Sequence, residues 1–392
     1  MTGNSFAEAF HYQTGEYVRI EFSDDGLIRE ISTVDCAIEN QSRIFIAPGL
    51  IDNQVNGYMG VDFSEDGLSA DRMEMVVEAL RGSGISSFMP TIITNSHKNL
   101  LRNFRLAVKT LRNSNIRDSI PGFHLEGPYL SPEHGYYGTH PPEFVRKADW
   151  NEFLEYQEAA EGNIIQVTIA PEIEGAIGFI EKCTDSGIVV SLGHSNASAE
   201  IVNLAVEKGA RISTHLGNGL ANKIDRHRNP IWPQLANDLL TPSIIADGHH
   251  LLREEIIVFT RVKGPDNIFL TSDLSPLGGM PPGTYTYMGS EVIHTPDGFL
   301  KNPRMNCLAG ASQTIKTGVE NMIIFTGCSL PAAINMASKN VAKACRLNDR
   351  GTIETGKRAD LILFESAENK INILKTIVKG RIAYTGGTTP NS

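Results

Sequence analysis

Eight short, almost continuously apolar runs alternate with helical patterns between residues 49 and 273. Apolar runs without polar alternation are typical of parallel strands that are covered on both faces. Eight strand–helix units over about 250 residues predict an α/β fold of the (β/α)8 TIM-barrel type. An open doubly wound sheet is the alternative, but no GxGxxG motif opens the first helix. We expect the strands near residues 49–54, 85–94, 120–126, 164–170, 188–193, 211–215, 243–247 and 267–273.

Apolar residues at three- and four-residue intervals predict the helices. They lie over 70–81, 97–111 (with Ser96 as N-cap), 197–208, 310–325 and 330–346. After the last barrel strand, residues 284–300 indicate a hairpin insertion with its turn at 296–298. Both chain ends have β character, and chain ends commonly lie close together. We therefore predict a small β-sandwich domain built from residues 1–47 and 349–392, and a barrel domain from residues 48–348.

Polar, chemically active side chains stand where four of the predicted strands end. They are Glu126, His194, His215 and Asp273. The carboxyl ends of barrel strands share one mouth, so we expect these side chains to lie together there. Each has a structural alternative: a buried salt bridge for Glu126, a hydrogen-bonded core position for each histidine, and a turn aspartate for Asp273.

Two imidazoles and a carboxylate at one barrel mouth suit a zinc ion with an open position for water, as in hydrolytic sites. The predicted ligands are Glu126, His194 and His215. Asp273 is then a candidate general base that carries a proton to a leaving nitrogen. Gln54 and Asn56 of the first strand are neutral amides, which bind zinc weakly. The first strand therefore offers no strong ligands for a second ion, and we predict one divalent metal ion, zinc, per subunit.

Composition excludes several classes of protein. The chain has 392 residues and a formal net charge of -10 with no long basic run, which argues against nucleic-acid binding. It begins with polar and acidic residues, and no apolar run approaches ~20 residues, so we expect a cytoplasmic protein without a membrane span. No CxxC pair indicates a cysteine zinc site or a disulfide framework among Cys36, Cys183, Cys307, Cys328 and Cys345.

Several short motifs, in this order along the chain, resemble the amidohydrolase superfamily and, within it, the family of N-acetylglucosamine-6-phosphate deacetylases. They are Pro48-Gly49-Leu50-Ile51-Asp52, His124-Leu125-Glu126-Gly127-Pro128, Gly138-Thr139-His140, Gly193-His194-Ser195, Thr214-His215-Leu216-Gly217-Asn218, Ala246-Asp247-Gly248-His249-His250, and Gly351 with Gly356-Lys357-Arg358-Ala359-Asp360. The resemblance spans residues 48 to about 365.

The resemblance implies a homodimer of metal-dependent barrels that act on an amino-sugar phosphate. It implies the same three metal ligands, Asp273 as catalytic acid and base, and His250 beside the scissile acetyl group. The remaining substrate contacts that it implies are Thr139, His140, Asn218, Gly219, Asp247, Gly248, His249, Leu308, Ala309 and Gly310.

The segment after His215 departs from the family pattern, which places an arginine for the 6-phosphate there. This chain has Asp225-Arg226-His227-Arg228 instead. A dianionic phosphate needs a local cation, and arginine matches phosphate geometry. Arg226 or Arg228 is therefore the predicted anchor, supplied, as in the resembling family, to the neighbouring subunit.

Three functions remain open at this stage. The first is hydrolysis of the N-acetyl group of N-acetyl-D-glucosamine 6-phosphate to D-glucosamine 6-phosphate and acetate. The second is deacetylation of another N-acetylated amino sugar or amino acid, with or without phosphate. The third is a catalytically degenerate barrel that binds an amino sugar without turning it over, against which the intact Glu126, His194, His215 and Asp273 argue.

Overall fold

The computed structural model of the chain describes residues 5–35 and 43–386. Its strands, in chain order, are β1 Ser5–His11, β2 Tyr17–Phe22, β3 Ile28–Thr33, β4 Ile44–Pro48, β5 Leu50–Val55, β6 Gly57–Tyr58, β7 Val61–Asp62, β8 Ile85–Ile93, β9 Phe123–Glu126, β10 Ile164–Ile169, β11 Val189–Leu192, β12 Ile212–Ser213, β13 Thr241–Ile244, β14 Phe269–Leu270, β15 Gly283–Tyr287, β16 Ser290–His294, β17 Leu300–Asn302, β18 Cys307–Leu308, β19 Leu361–Ala367, β20 Lys370–Val378 and β21 Arg381–Thr385.

The helices, in chain order, are α1 Ala70–Gly82, α2 His97–Thr110, α3 Ser114–Arg117, α4 Trp150–Ala159, α5 Ala176–Asp185, α6 Ala199–Glu207, α7 Ile231–Ala236, α8 Arg253–Lys263, α9 Ile315–Thr326, α10 Leu330–Met336 and α11 Lys339–Ala344, with a 3-10 turn at Pro142–Phe144. The predicted helices at 70–81, 97–111 and 197–208 correspond to α1, α2 and α6 within two residues at each end, and the one predicted at 310–325 begins five residues later, as α9. Ser96 caps α2 as predicted, because its side chain accepts a hydrogen bond from the backbone N–H of Asn99. The predicted helix at 330–346 is two helices, α10 and α11, separated by a break at Ala337 and Ser338.

Eight strands form the predicted barrel in the order β5, β8, β9, β10, β11, β12, β13, β14, each parallel to its neighbours. An isolated parallel bridge between Val55 and Leu274 joins the two end strands, where Asn56 N–H donates to the Leu274 carbonyl at 2.8 Å. All nine residues of β8 are buried, as a strand covered on both faces requires. The (β/α)8 fold is therefore confirmed.

A separate seven-stranded sheet contains both ends of the described chain, in the order β21-β20-β19-β4-β1-β2-β3. β4 and β19 join the two ends through an antiparallel ladder. The sheet has its own apolar cluster, which includes Ile20, Ile46 and Leu361. The domain limits at 47/48 and 348/349 stay a prediction.

The predicted insertion is larger than one hairpin. β15 and β16 form the hairpin, and the turn at 296–298 leads on to β17, which pairs with β18 in a four-stranded antiparallel sheet. This sheet, called the insertion sheet below, comprises β15 to β18.

The described cysteines, Cys183, Cys307, Cys328 and Cys345, are free thiols, and Cys36 lies outside the described residues. Across the described ranges, every helix is too short or too polar to cross a membrane. The cytoplasmic location stays a prediction.

Candidate active site

The strand ends of the barrel bring the predicted metal ligands and Asp273 to one cavity of about 400 Å³. Glu126 is the last residue of β9, while His194 and His215 each stand two positions beyond the end of β11 and β12. Asp273 follows β14 by three positions. Because neighbouring strands are parallel, their carboxyl ends all open on the same side of the barrel.

Backbone conformation at three of these positions is unusual. His194, His215 and Asp273 have positive φ angles of 53°, 28° and 53°, a region that residues other than glycine adopt rarely. Such strain persists where surrounding structure enforces it, and it is concentrated at functional sites. Gly219 has a φ of +63°, and a Cβ there would lie 2.8 Å from His194 Nδ1. Only glycine therefore lets this loop pass so close to the imidazole.

Three imidazoles surround the buried Glu126 carboxylate. His215 Nε2 lies 3.0 Å and His194 Nε2 3.3 Å from Oε1, and His140 Nε2 lies 3.8 Å from Oε2. Burial by itself raises the pKa of the Glu126 carboxyl, but hydrogen bonds from His194 and His215 hold this pKa well below its ordinary value. The carboxylate is therefore ionised and faces several nitrogen donors.

His140 is held between the barrel and this cluster. Its Nδ1 lies 2.8 Å from Thr94 Oγ1, and its ring meets that of His194 edge-on with centroids 4.6 Å apart. Burial, and then the neighbouring His194, lower the pKa of His140 to about 3. The imidazole is thus neutral at ordinary pH and keeps a free lone pair.

Two side-chain amides, Gln54 on β5 and Asn56 just after it, orient the carboxylates of Glu126 and Asp273. Gln54 Nε2 donates to Glu126 Oε1 at 3.0 Å and to Asp273 Oδ1 at 2.9 Å, and Asn56 Nδ2 donates to the same Oδ1 at 2.7 Å. Burial, and then the negative charge of Glu126, raise the pKa of Asp273. A carboxylate with a raised pKa is a stronger proton acceptor, and both amide bonds end on one of its oxygens.

His250 is fixed by Asp247. Its Nδ1 lies 2.7 Å from Asp247 Oδ2, while Asp247 Oδ1 accepts the backbone N–H groups of His249 and His250. Burial raises the pKa of Asp247, but the adjacent His250 and the backbone N–H groups of His249 and His250 together lower it below its ordinary value. The ionised carboxylate accepts a hydrogen bond from His250 Nδ1–H, and His250 lines the cavity with the rest of its ring.

The amidohydrolase family model matches residues 45–383 of the chain. The chain belongs to the amidohydrolase family. It is 31% identical over 376 residues to the N-acetylglucosamine-6-phosphate deacetylase of Haemophilus influenzae, covering 94% of this chain and 92% of that protein. It is 27% identical over 361 residues to the N-acetylgalactosamine-6-phosphate deacetylase of Escherichia coli O157:H7, covering 92% and 93%. The crystal structure of N-acetylglucosamine-6-phosphate deacetylase from Thermotoga maritima matches with a TM-score of 0.85 and 27% identity, covering 97% of this chain and 100% of that one.

Most of the substrate contacts predicted for this amidohydrolase line the cavity. They are Thr139, His140, Asn218, Gly219, His249, His250, Leu308, Ala309 and Gly310. Asp247 and Gly248 are not among the described residues that line the cavity. The Asp247 carboxylate turns towards His250 instead. Arg226 and Arg228 are also absent from the wall, because they lie on an exposed loop. Their own subunit therefore does not bring these arginines to the cavity.

The sequence did not indicate several residues of this amidohydrolase site. His140 was predicted only as a substrate contact. In the structure, one potential ligand atom each of His140, Glu126 and His194 lie within 4.8 Å of one another, a cluster that could hold a metal ion. Tyr287 and Lys301 of the insertion sheet line the cavity, yet no motif marked them. The signal for both was weak: β15 has no buried position that would mark its faces, and Lys301 alternates with the buried Leu300 and Asn302 on a strand whose partner was not predicted.

Proposed function

We propose that the protein hydrolyses the N-acetyl group of N-acetyl-D-glucosamine 6-phosphate, giving D-glucosamine 6-phosphate and acetate. The observation that carries this proposal is the buried Glu126 carboxylate, surrounded by imidazoles and joined through Gln54 to Asp273. A buried, ionised carboxylate with three imidazoles around it suits a metal ion, and the adjoining carboxylate with a raised pKa suits proton transfer.

Members of the amidohydrolase family depend on a metal ion, and the donor set here fits one. We assign Glu126, His194 and His215 as its ligands and zinc as the ion, one per subunit. When bound, such an ion polarises the acetyl carbonyl and activates water. His194 is already oriented for ligation, because its Nδ1 lies 2.9 Å from the Tyr136 carbonyl and Nε2 faces Glu126.

Asp273 and His250 carry the proton and orient the substrate. With Oδ1 occupied by Gln54 and Asn56, Asp273 has Oδ2 to accept the proton of the attacking water and pass it to the departing amine. Asp247 accepts the hydrogen bond of His250 Nδ1–H, so Nε2 is the ring atom left to face the acetyl group, and the imidazolium form would donate its Nε2–H to the developing oxyanion.

An acetate-release assay tests this function directly. The panel contains N-acetylglucosamine 6-phosphate, N-acetylgalactosamine 6-phosphate, unphosphorylated N-acetylglucosamine and an N-acetyl amino acid. The galactosamine epimer is included because one relative is named for it. We expect the highest kcat/KM for N-acetylglucosamine 6-phosphate. A higher value for another compound would support the alternative deacetylase, and no release from any compound would support a barrel that only binds.

The zinc content of two variants shows whether His215 or His140 is the metal ligand. We expect His215→Gln to reduce the zinc that remains after dialysis by about 10-fold or more, since it removes an assigned ligand. His140→Gln should retain about one zinc and raise KM, because we assign His140 to the substrate. Loss of zinc in His140→Gln with retention in His215→Gln would exchange the two assignments.

We also propose that the protein is a homodimer. The surface formed by α6, α7, α8 and the segments next to them exposes large apolar side chains, namely Leu204, Trp232, Leu239, Leu252, Val258 and Val262. Exposed apolar patches of this kind are typical of protein interfaces. The loop of Arg226 and Arg228 adjoins it, because Trp232 Nε1 donates to the Arg226 carbonyl at 3.3 Å. A partner on this surface would therefore lie beside both arginines.

Arg226→Ala or Arg228→Ala is expected to raise KM for the phosphorylated sugar about 10–100-fold with less effect on kcat, because a charge-assisted phosphate contact is lost. If the arginine acts on the neighbouring subunit, mixing that variant with Asp273→Asn chains restores low-KM activity in hybrid dimers. Each hybrid then has one site with an intact Asp273 and the partner's arginine. An unchanged KM in both arginine variants would contradict the assignment.

A further inference from the structure

The insertion sheet forms one wall of the catalytic cavity. Phe299, just before β17, and Lys301 on β17 both line it, together with Leu308 of β18. Side chains two positions apart on a strand share a face, which is why Phe299 and Lys301 point to the same side. Lys301 is exposed, so its ammonium group is free to meet a ligand that enters from solvent.

The charges around the cavity single out Lys301. The described residues that line it include two carboxylates, Glu126 and Asp273, and five imidazoles, but Lys301 is the one lysine or arginine among them. The chain as a whole carries a net charge of -10. A phosphate dianion that enters such a cavity is repelled by the carboxylates and needs a fixed positive charge to bind.

A short backbone path also connects Lys301 with the proton-transferring carboxylate. Ala311 N–H donates to the Asp273 carbonyl at 2.9 Å, and three positions earlier Leu308 pairs with Lys301 across the ladder. The three residues from Ala311 back to Leu308 span at most about 10 Å, at ~3.3 Å per residue, and the ladder then leads across to Lys301 on β17. In a hexosamine 6-phosphate the amide on C2 and the phosphate on C6 are on opposite sides of the ring. A substrate with its amide at Asp273 thus holds its phosphate on the far side of the ring from that carboxylate, where a cation of the cavity wall other than the metal site is needed.

Contacts with the barrel loops hold this wall in place. His249 Nε2 lies 3.0 Å from the Asp297 carbonyl, and its ring meets Phe299 edge-on with centroids 5.6 Å apart. Asn222 Nδ2 donates to the Asn306 carbonyl at 3.1 Å. The backbone that carries Lys301 is therefore tied to the barrel on both sides.

We propose that Lys301 determines specificity for a phosphate monoester on the sugar, and that it does so from within the same subunit as Asp273. This inference rests on the proposed deacetylase function. It is separate from the assignment of Arg226 and Arg228, which act on the neighbouring subunit, since a dianion can accept bonds from cations on both sides.

The test compares Lys301→Gln with Arg304→Gln, which removes the same charge from an exposed residue in the turn after β17 that does not line the cavity. In Lys301→Gln we expect KM for N-acetylglucosamine 6-phosphate to rise about 10–100-fold. The ratio of kcat/KM for the phosphorylated sugar to that for unphosphorylated N-acetylglucosamine should fall by the same factor. Lys301→Arg should retain most of the preference, and Arg304→Gln all of it.

Ionic strength gives a second readout. The KM of the wild-type protein should rise with salt more steeply than that of Lys301→Gln, because salt screens an exposed charge pair. An unchanged preference in Lys301→Gln, or an equal fall in Arg304→Gln, would overturn the assignment while the wild-type activity upheld the deacetylase function. A wild-type protein that releases no acetate from any substrate would overturn both.

Discussion

Asp273→Asn is expected to lower kcat about 10²–10⁴-fold, the usual contribution of a general acid and base. The physical reason lies in the two amides that hold Asp273. Gln54 and Asn56 both donate to Oδ1, so an asparagine can keep its carbonyl oxygen there and its shape in the site. Its NH2 group then replaces Oδ2, and it cannot accept the proton of water.

The measurement is kcat for acetate release, with zinc content and thermal unfolding recorded on the same preparations. Asp266→Asn is a suitable control, because it removes one negative charge from an exposed residue that does not line the cavity. We expect it to retain wild-type kcat. Near-normal turnover in Asp273→Asn, with zinc bound and the fold intact, would show that another group moves the proton.

The barrel and its polar strand ends were predictable because they depend on local pattern. Runs such as β8, buried over its whole length, have to be apolar on both faces, and the residues that follow such runs share one mouth. Glu126, His194, His215 and Asp273 follow from that rule alone. Their positions require no knowledge of how the loops fold.

His140 and Lys301 were harder to place because their positions depend on loop geometry and strand register. His140 lies 14 residues after Glu126, in a segment without regular structure, and reaches the carboxylate through contacts with Thr94 and His194. Lys301 lines the cavity only because β17 pairs with β18, a ladder that no turn motif in the sequence indicated. Neither has a periodic signal.

The role of Gln54 and Asn56 as donors to the two carboxylates was not predictable from the sequence, which indicated only that these amides are weak zinc ligands. Gln54 donates to Glu126 and Asp273, and Asn56 donates to Asp273. Their carbonyl oxygens are buried without a hydrogen-bond partner among the described residues, so each amide can still accept one bond from a ligand.

Removal of the metal ion is expected to abolish acetate release, and about one equivalent of zinc per chain should restore it fully. The assigned nitrogen ligands, His194 and His215, follow β11 and β12, whereas the end of β5 offers only the neutral amides Gln54 and Asn56. Amides bind zinc far more weakly than imidazole or carboxylate, and these two already donate to Glu126 and Asp273. A second ion near β5 would have to displace those bonds and gain only weak ligands.

The experiment is titration of chelator-treated protein with zinc, with activity and bound metal measured at each addition. His227→Gln, which alters an exposed histidine of the Arg226 loop, controls for adventitious surface binding. Activity that continued to rise from the first to the second equivalent would contradict the one-metal assignment and would mean that the amides had yielded to a second ion.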